Sequence, residues 1–390
     1  MRIKQVVAAS LLACAGTAWA ESSVTVYGVA DVPVEFVNHM AIGAPTINPT
    51  TGVITQQAGG NRFSLASSGG LSGSRFGLRG TEDLGTGLKA LFVLESGFGL
   101  DTGALQQGGR LFGRQAFVGV QSDSVGKLTF GRQYSSMFDM FAHASPLSYG
   151  SMYEPVFLQL GPNGRADNTV KYTGVFGGLT AVAHYSFGVG VAALGVTPLA
   201  NGGAGEVPGH FRDNTAYGGG LMYSSNGLGL SLAYDQWNAA VTAGSPGTAK
   251  KAGIAASYVV GPAKFVAGYR WGNGKSNTDA TLLRDDYYWV GINYQATSAL
   301  GLTLAYYYDD LKTLRVSSVA PSTNPANPWQ ISFVADYSLS KRTDVYLTTA
   351  YAKNSGLNFD SSANGFASSY FLASGNTNQF GAAIGIRHKF

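Results

Sequence analysis

The sequence predicts an all-β fold, a sixteen-stranded antiparallel transmembrane β-barrel, from three observations. An export leader stands at the N-terminus. Charged residues make up only 12% of the chain, beside 54 glycines, 21 tyrosines and 21 phenylalanines. A two-residue hydrophobic alternation recurs along the chain, broken by short turns and long segments in strict rotation.

The leader comes first. Arg2 and Lys4 precede the apolar stretch from Val6 to Ala13, and Ala18-Trp19-Ala20 supplies a small-residue cleavage site before Glu21. A lipoprotein reading of Leu11-Leu12-Ala13-Cys14 fits poorly at Leu12, and a strand-like segment follows Ala20 at once. Residues 1–20 are therefore read as a signal peptide and 21–390 as one barrel domain. Cys14, the only cysteine, leaves with the leader, so neither a disulfide framework nor a thiolate site is expected. Loss of Arg2 and Lys4 takes the net charge from +4 to +2, too near neutrality to imply a nucleic-acid partner.

Beyond the leader no run approaches the roughly 18 apolar residues of a membrane-crossing helix. Yet a charge content of 12% is about half that of a soluble domain. A wall with one lipid face and one wet face satisfies both facts. The alternation is cleanest where Leu228, Leu230, Leu232 and Tyr234 interleave with Gly229, Ser231, Ala233 and Asp235. It recurs at Leu302, Leu304, Tyr306 and Tyr308, and at Ile254, Ala256 and Tyr258. A soluble β-sandwich also alternates, but its solvent face would need more charge than this chain has.

Turn signals at 82–85, 122–126, 174–178, 224–227, 260–262, 296–301 and 339–344 are short. Between them lie longer segments at about 34–70, 100–110, 135–166, 189–213, 238–248, 273–284, 310–327 and 353–376. Seven turns and eight loops delimit sixteen strands, each about 9–11 residues and able to cross a bilayer when tilted. No internal helix is required. Lipid offers no hydrogen bonds to a free edge, so the first strand, near Val24 to Asp31, must pair with the last. That last strand alternates Phe380, Ala382, Ile384 and Ile386 with Gly381, Ala383, Gly385 and Arg387, and ends on Phe390.

Several motifs carry a family likeness: Ser23-Val24-Thr25-Val26-Tyr27-Gly28, Ser74-Arg75-Phe76-Gly77-Leu78-Arg79-Gly80-Thr81-Glu82-Asp83-Leu84-Gly85, Phe130-Gly131-Arg132-Gln133-Tyr134, Asn168-Thr169-Val170-Lys171-Tyr172, Ser340-Lys341-Arg342-Thr343-Asp344 and Arg387-His388-Lys389-Phe390. In this order over the whole mature chain they resemble the trimeric general porins of Gram-negative bacteria, in particular those of β-proteobacteria. The resemblance implies short periplasmic turns, long outer loops, a homotrimer in the outer membrane, and Phe390 as the signal read by the barrel assembly machinery.

It also implies a third outer loop folded back into the lumen, opposite a charged eyelet. That loop, 135–164, holds Met137, Phe138, Met140, Phe141, Leu147, Met152, Tyr153, Phe157, Leu158 and Leu160, so it should pack against the inner wall rather than face water. It carries no Lys or Arg, and its acids are Asp139 and Glu154. The family's Pro-Glu-Phe-Gly-Gly tip is missing, with Tyr153-Glu154-Pro155-Val156-Phe157 near its place. By motif, Arg75, Arg114 and Arg165 match the eyelet arginines, and Glu95 matches a lumen carboxylate. Strand parity adds Arg79 and Lys171 to the lumen face if Phe76, Leu78, Val170 and Tyr172 face lipid. It is less favourable for Arg114, because Gln115, Phe117 and Gly119 would then form the outer face. Val29 stands where some relatives carry a further lumen lysine.

Arg132 shares an outer face with Leu128 and Phe130. A lipid-facing arginine at mid-depth costs roughly 2–4 kcal/mol. The expectation is that a neighbouring subunit buries it, or that lipopolysaccharide phosphate meets it.

Catalytic and cofactor chemistry finds no support. His39, His143, His184, His210 and His388 have no zinc or nucleophile spacing. The glycine runs at 202–205 and 218–220 lack the strand, helix and lysine of a phosphate-binding loop. Asp285-Asp286 and Asp309-Asp310 read as solvated rim charges rather than a calcium site. The expected function is a water-filled diffusion channel for small hydrophilic solutes and ions with a modest anion preference. The alternatives are a solute-selective channel of the same fold and a non-channel barrel such as a hydrolase or adhesin.

Overall fold

The structure is a computed structural model that describes residues 23–161, 163–190, 205–240, 242–360 and 369–390. The signal peptide expected at 1–20 lies outside them. Numbered around the barrel, the strands are β1 (Ser23–Ala41), β2 in two segments (Gly59–Leu65 and Arg75–Gly85), β3 (Leu88–Gly97), β4 (Gln115–Ser122), β5 (Gly126–Tyr134), β6 (Arg165–Phe176), β7 (Leu179–Ser186) and β8 (Ala216–Ser225). They continue as β9 (Leu228–Trp237), β10 (Thr248–Val260), β11 (Ala263–Lys275), β12 (Thr281–Gln295), β13 (Leu300–Leu314), β14 (Trp329–Ser338), β15 (Thr343–Lys353) and β16 (Asn378–Lys389).

Each strand pairs antiparallel with its neighbour in sequence, and β16 returns to β1 with Val29 opposite Lys389 and Val37 opposite Gly381. Phe390 prolongs this seam. The Gly28 amide donates to the Phe390 carbonyl at 3.0 Å, and the Phe390 amide returns a bond to Gly28 at 3.1 Å. The Phe390 ring covers Gly28 so closely that a Cβ there would lie 2.3 Å from its Cζ and 2.7 Å from the Arg75 carbonyl oxygen. Glycine is needed at this position because a backbone oxygen cannot give way.

The seventeen paired segments fill sixteen positions, because β2 is one strand interrupted. The first half of β1 pairs with Arg75–Gly85 and the second half with Gly59–Leu65. The chain leaves the sheet between them and is captured by Asp31, whose carboxylate accepts from the Gly70 amide at 3.0 Å, the Ser72 amide at 2.7 Å and the Tyr346 hydroxyl at 2.5 Å.

Alternation places the faces as the sequence predicts. Leu230, Leu232 and Tyr234 are 46%, 53% and 36% exposed on the outside, while Ser231, Ala233 and Asp235 face inward at 7%, 4% and 0%. Six of the seven short turns lie where they were read; the first falls at Thr86-Gly87, just past 82–85, which are still strand. At Asn226-Gly227 both residues have positive φ, the geometry that suits a two-residue hairpin turn. Strand lengths differ from expectation: β12 and β13 each run 15 residues and β1 runs 19. Hairpins that keep pairing beyond the bilayer lose nothing, so the segments read as loops near 34–70 and 273–284 are partly strand.

The third loop, 135–164, contains helices that the sequence reading did not require: α1 (Ser136–Phe141) and α2 (Val156–Leu160). Ser135 caps the first, its hydroxyl accepting from the Phe138 amide. Met137, Met140, Phe141, Leu158 and Leu160 pack into one cluster with the inward residues Val182, Ala233, Ala255, Val266, Trp289 and Val334. Fully burying such a side chain contributes about 1.5–3 kcal/mol. Wall side chains also hold the loop backbone. Trp289 Nε1 donates to the Ala144 carbonyl at 2.8 Å, Lys251 to Leu160 at 2.6 Å, Arg270 to Leu158 at 2.6 Å, and Ser332 to Tyr153 at 2.7 Å.

Glu154 departs from its expected place as a pore acid. Its carboxylate is buried inside the loop, where it accepts from the Ser145 hydroxyl at 2.7 Å and the Gly150 amide at 3.1 Å. Burial outweighs these bonds and pushes its pKa from 4.5 up to about 7. A carboxyl raised on folding contributes stability that is whole below pH 4.5 and is lost as the pH climbs through about 7. The loop should therefore be about 3 kcal/mol less firmly held at pH 8 than at pH 4, and Glu154→Gln should flatten this dependence. Amide hydrogen exchange of 135–161 at the two pH values, corrected for intrinsic rates, measures it; equal protection at both would refute it.

Candidate functional site

The β1 to β6 side of the barrel brings together most of the basic residues that the sequence singled out, beside the start of the loop, whose Phe138 ring stacks on Tyr134 at 3.7 Å. Glu95, inward on β3, is the hub. Arg114 Nε donates to its Oε1 at 2.7 Å, Arg75 Nε stands 3.6 Å from Oε2, and the Tyr27 hydroxyl donates to Oε2 at 3.1 Å. Arg114 also donates through Nη2 to the Tyr134 hydroxyl at 3.2 Å, and Arg165 donates to the same hydroxyl at 3.0 Å. The Arg165 guanidinium lies over the Tyr134 ring, 4.5 Å from its centre. Three guanidinium groups thus share one carboxylate and one phenol. Pairing by Glu95 cancels one positive charge of three, so the cluster remains basic.

The parity difficulty at Arg114 has a simple resolution. Gln115, opposite Glu95, faces inward, while Val118 and Val120 are exposed outside. Arg114 precedes β4, so strand alternation does not govern it. Arg165 joins the cluster as its motif implied, although the strand that carries it is irregular at this end. The pairing of β5 with β6 slips by one residue between Gly131 and Gln133, and Asn168 has a positive φ. Thr169 and Lys171 remain buried and inward, but beyond the bulge the alternation no longer holds.

Lys171 and Asp139 are close together but neutralise each other, Nζ donating to the carboxylate at 2.7 Å and to the Tyr134 carbonyl at 2.9 Å. Arg79 forms no ion pair with Glu95 but lies 5.3 Å from the ring centre of Tyr27, whose hydroxyl donates to that carboxylate.

Arg132 is also placed otherwise than its isolation implied. Its Nη1 donates to Asp167 at 2.5 Å and its Nε to the Gly113 carbonyl at 2.7 Å, and Arg110 donates to the same Asp167 at 3.1 Å. The chain itself supplies these partners, so the cost of a bare arginine in lipid is no argument for a neighbouring subunit.

Three residues escaped the sequence reading. Tyr134 stood inside a quoted motif, but no spacing rule gives a tyrosine the role of joining two arginines. Lys127 and Lys264 face the lumen without an ion pair among the described residues. Parity could have found both: with Leu128 and Phe130 outside, Lys127 points in, and with Phe265 outside, Lys264 does too.

Known proteins agree with this architecture. A family model described as Gram-negative porin matches residues 7–357. An outer membrane porin protein of Bordetella pertussis is 32% identical, covering 99% of this chain and 100% of its own. Outer membrane porin protein 32 of Delftia acidovorans is 30% identical over 99% of each chain. Among solved structures, an anion-selective porin from Comamonas acidovorans superposes with a TM-score of 0.70 at 25% identity, covering 95% of this chain and all of that one. OmpT of Vibrio cholerae shares the fold alone, with a TM-score of 0.63 at 13% identity over 95% of this chain and 98% of its own. Fold and family are those of a channel rather than an enzyme. A closed multi-pass barrel with a lipid-facing exterior, a wet interior and these relatives belongs to the Gram-negative porin family and forms an outer-membrane diffusion channel.

Proposed function

We propose that this channel is a general diffusion pore with a modest preference for anions, and that Arg75, Arg114 and Arg165, facing the loop 135–164, set that preference. The observation that carries the reading is the sharing of Glu95 by Arg75 and Arg114, with Arg165 joined through Tyr134, which leaves positive charge in excess where the lumen is narrowed. Lys127 and Lys264 add to the excess, and Asp139 is taken up by Lys171. Anion selectivity stated for the Comamonas porin supports the same sign. Screening acts over about 10 Å at 0.1 M salt, and a low-dielectric wall focuses the field to several kT, enough to enrich anions about tenfold without a dedicated site.

A KCl gradient across a planar bilayer gives the test. The wild type should show a reversal potential of anion-preferring sign that shrinks as salt rises, and Arg75→Ala combined with Arg165→Ala should move it towards zero or beyond. Cation preference in the wild type, or no shift in the double variant, counts against the assignment.

We also propose that the mature chain begins at Glu21 and assembles as a homotrimer in contact with lipopolysaccharide. The support for assembly is the motif likeness to trimeric porins, with Arg132 contributing nothing to it. Light scattering of the unheated protein in mild detergent should give three times the mass of one chain; monomers alone would exclude the trimer.

A further inference from the structure

Between the underside of the third loop and the β11 to β14 wall, towards the turn end of the barrel, lies a cavity of about 380 Å³. Its polar lining forms a row across hydrogen-bonded strands: Lys264 on β11 pairs with Asn293 on β12, which pairs with Thr303 on β13. At about 4.8 Å per strand, Lys264 and Thr303 stand within about 10 Å of each other. The loop contributes Ser148, and the interrupted part of β2 contributes Ser72.

The hydrogen bonds of this row are unbalanced. The Asn293 amide donates to the Pro146 carbonyl and to the Thr303 hydroxyl, both at 2.8 Å, which leaves the Thr303 proton free to donate. Ser72 accepts from Arg387 at 3.1 Å, leaving its proton free as well. On the rim, Asp336 Oδ2 accepts from Arg387 at 3.0 Å, while its Oδ1 has no hydrogen-bond partner among the described residues. Lys264 has no hydrogen bond or ion pair among the described residues. A cation, Lys264, and two hydroxyl protons thus face a space of ligand size, whose one carboxylate is already paired with Arg387.

We propose that this cavity is a weak binding station for a small oxyanion, a carboxylate or a phosphate, with Lys264 as the ion-pairing group and Thr303 and Ser72 as hydroxyl donors. The proposal rests on the anion-conducting reading above and adds a second stop on the ion's path, displaced from the arginine cluster towards the turns. Lys264 is only half-buried, so binding is loose, as a site inside a conducting path must be for the ion to leave.

The test is conductance in planar bilayers over rising concentrations of potassium phosphate, potassium acetate and KCl. In the wild type, current in at least one of the oxyanion salts should level off, while current in KCl should follow bulk conductivity. Saturation with phosphate alone or acetate alone names the preferred oxyanion. Lys264→Gln should raise the half-saturating concentration about tenfold, and Lys264→Arg should preserve saturation, which separates loss of the charge from misfolding. Proportional current in every salt, unchanged saturation in Lys264→Gln, or saturation lost in Arg75→Ala with Arg165→Ala but kept in Lys264→Gln would each overturn the proposal. Cation preference in the KCl gradient, beside saturation that depends on Lys264, would instead remove the selectivity reading and leave the station standing.

Discussion

A strand edge in hydrocarbon has nothing to bond with, and the rest of this molecule follows from that constraint. The sheet must close, and it closes where β16 meets β1, with the backbone of Phe390 paired to Gly28 and its ring laid over it. Closure at sixteen positions encloses a lumen too wide for side chains alone to fill. The third loop fills much of it. An apolar loop inside a wet pore would be costly, but Met137, Met140, Phe141, Leu158 and Leu160 meet wall residues that are small or apolar just there: Ala233, Ala255, Val266 and Val334.

The loop is held chiefly by β10 to β14, although Tyr153 also donates to Glu35 on β1 at 3.0 Å, and the arginine cluster stands between β2 and the start of β6. Wall groups from β10 to β14 bind the loop backbone and thereby spend their own hydrogen-bonding capacity, Lys251 and Arg270 included. The basic groups from β2 to the start of β6 touch each other and one carboxylate. Lys251 and Arg270 serve the loop's placement, whereas Arg75 and Arg114 share a single carboxylate, Glu95. Glu154, conspicuous in the sequence as one of only two loop acids, belongs to the first group and stays inside the loop.

Much of this was legible because barrels obey local rules. Alternation fixed which side of Leu230 to Asp235 faces lipid, and Asn226-Gly227 marked its own turn. Arg75, Arg114 and Glu95 could be named from motifs. What remained hidden depends on contacts distant in sequence. The slip at Gly131 and the positive φ of Asn168 have no signature in the sequence, so the pairing of Asp167 with Arg110 and Arg132 beside them could not be read from it. Arg132 looked stranded because Arg110 and Gly113, which share its surroundings, lie in the preceding loop. The helices α1 and α2 are six and five residues long, too short to stand without the wall they pack on.

The central claim is that the third loop, anchored to the β10 to β14 wall, sets the bore of this pore. Single-channel conductance of a variant lacking 149–158, with correct folding established by circular dichroism and resistance to detergent unfolding, tests it most directly. Conductance should rise, and larger sugars should enter in liposome swelling. Unchanged conductance and an unchanged size limit in the folded variant would contradict it.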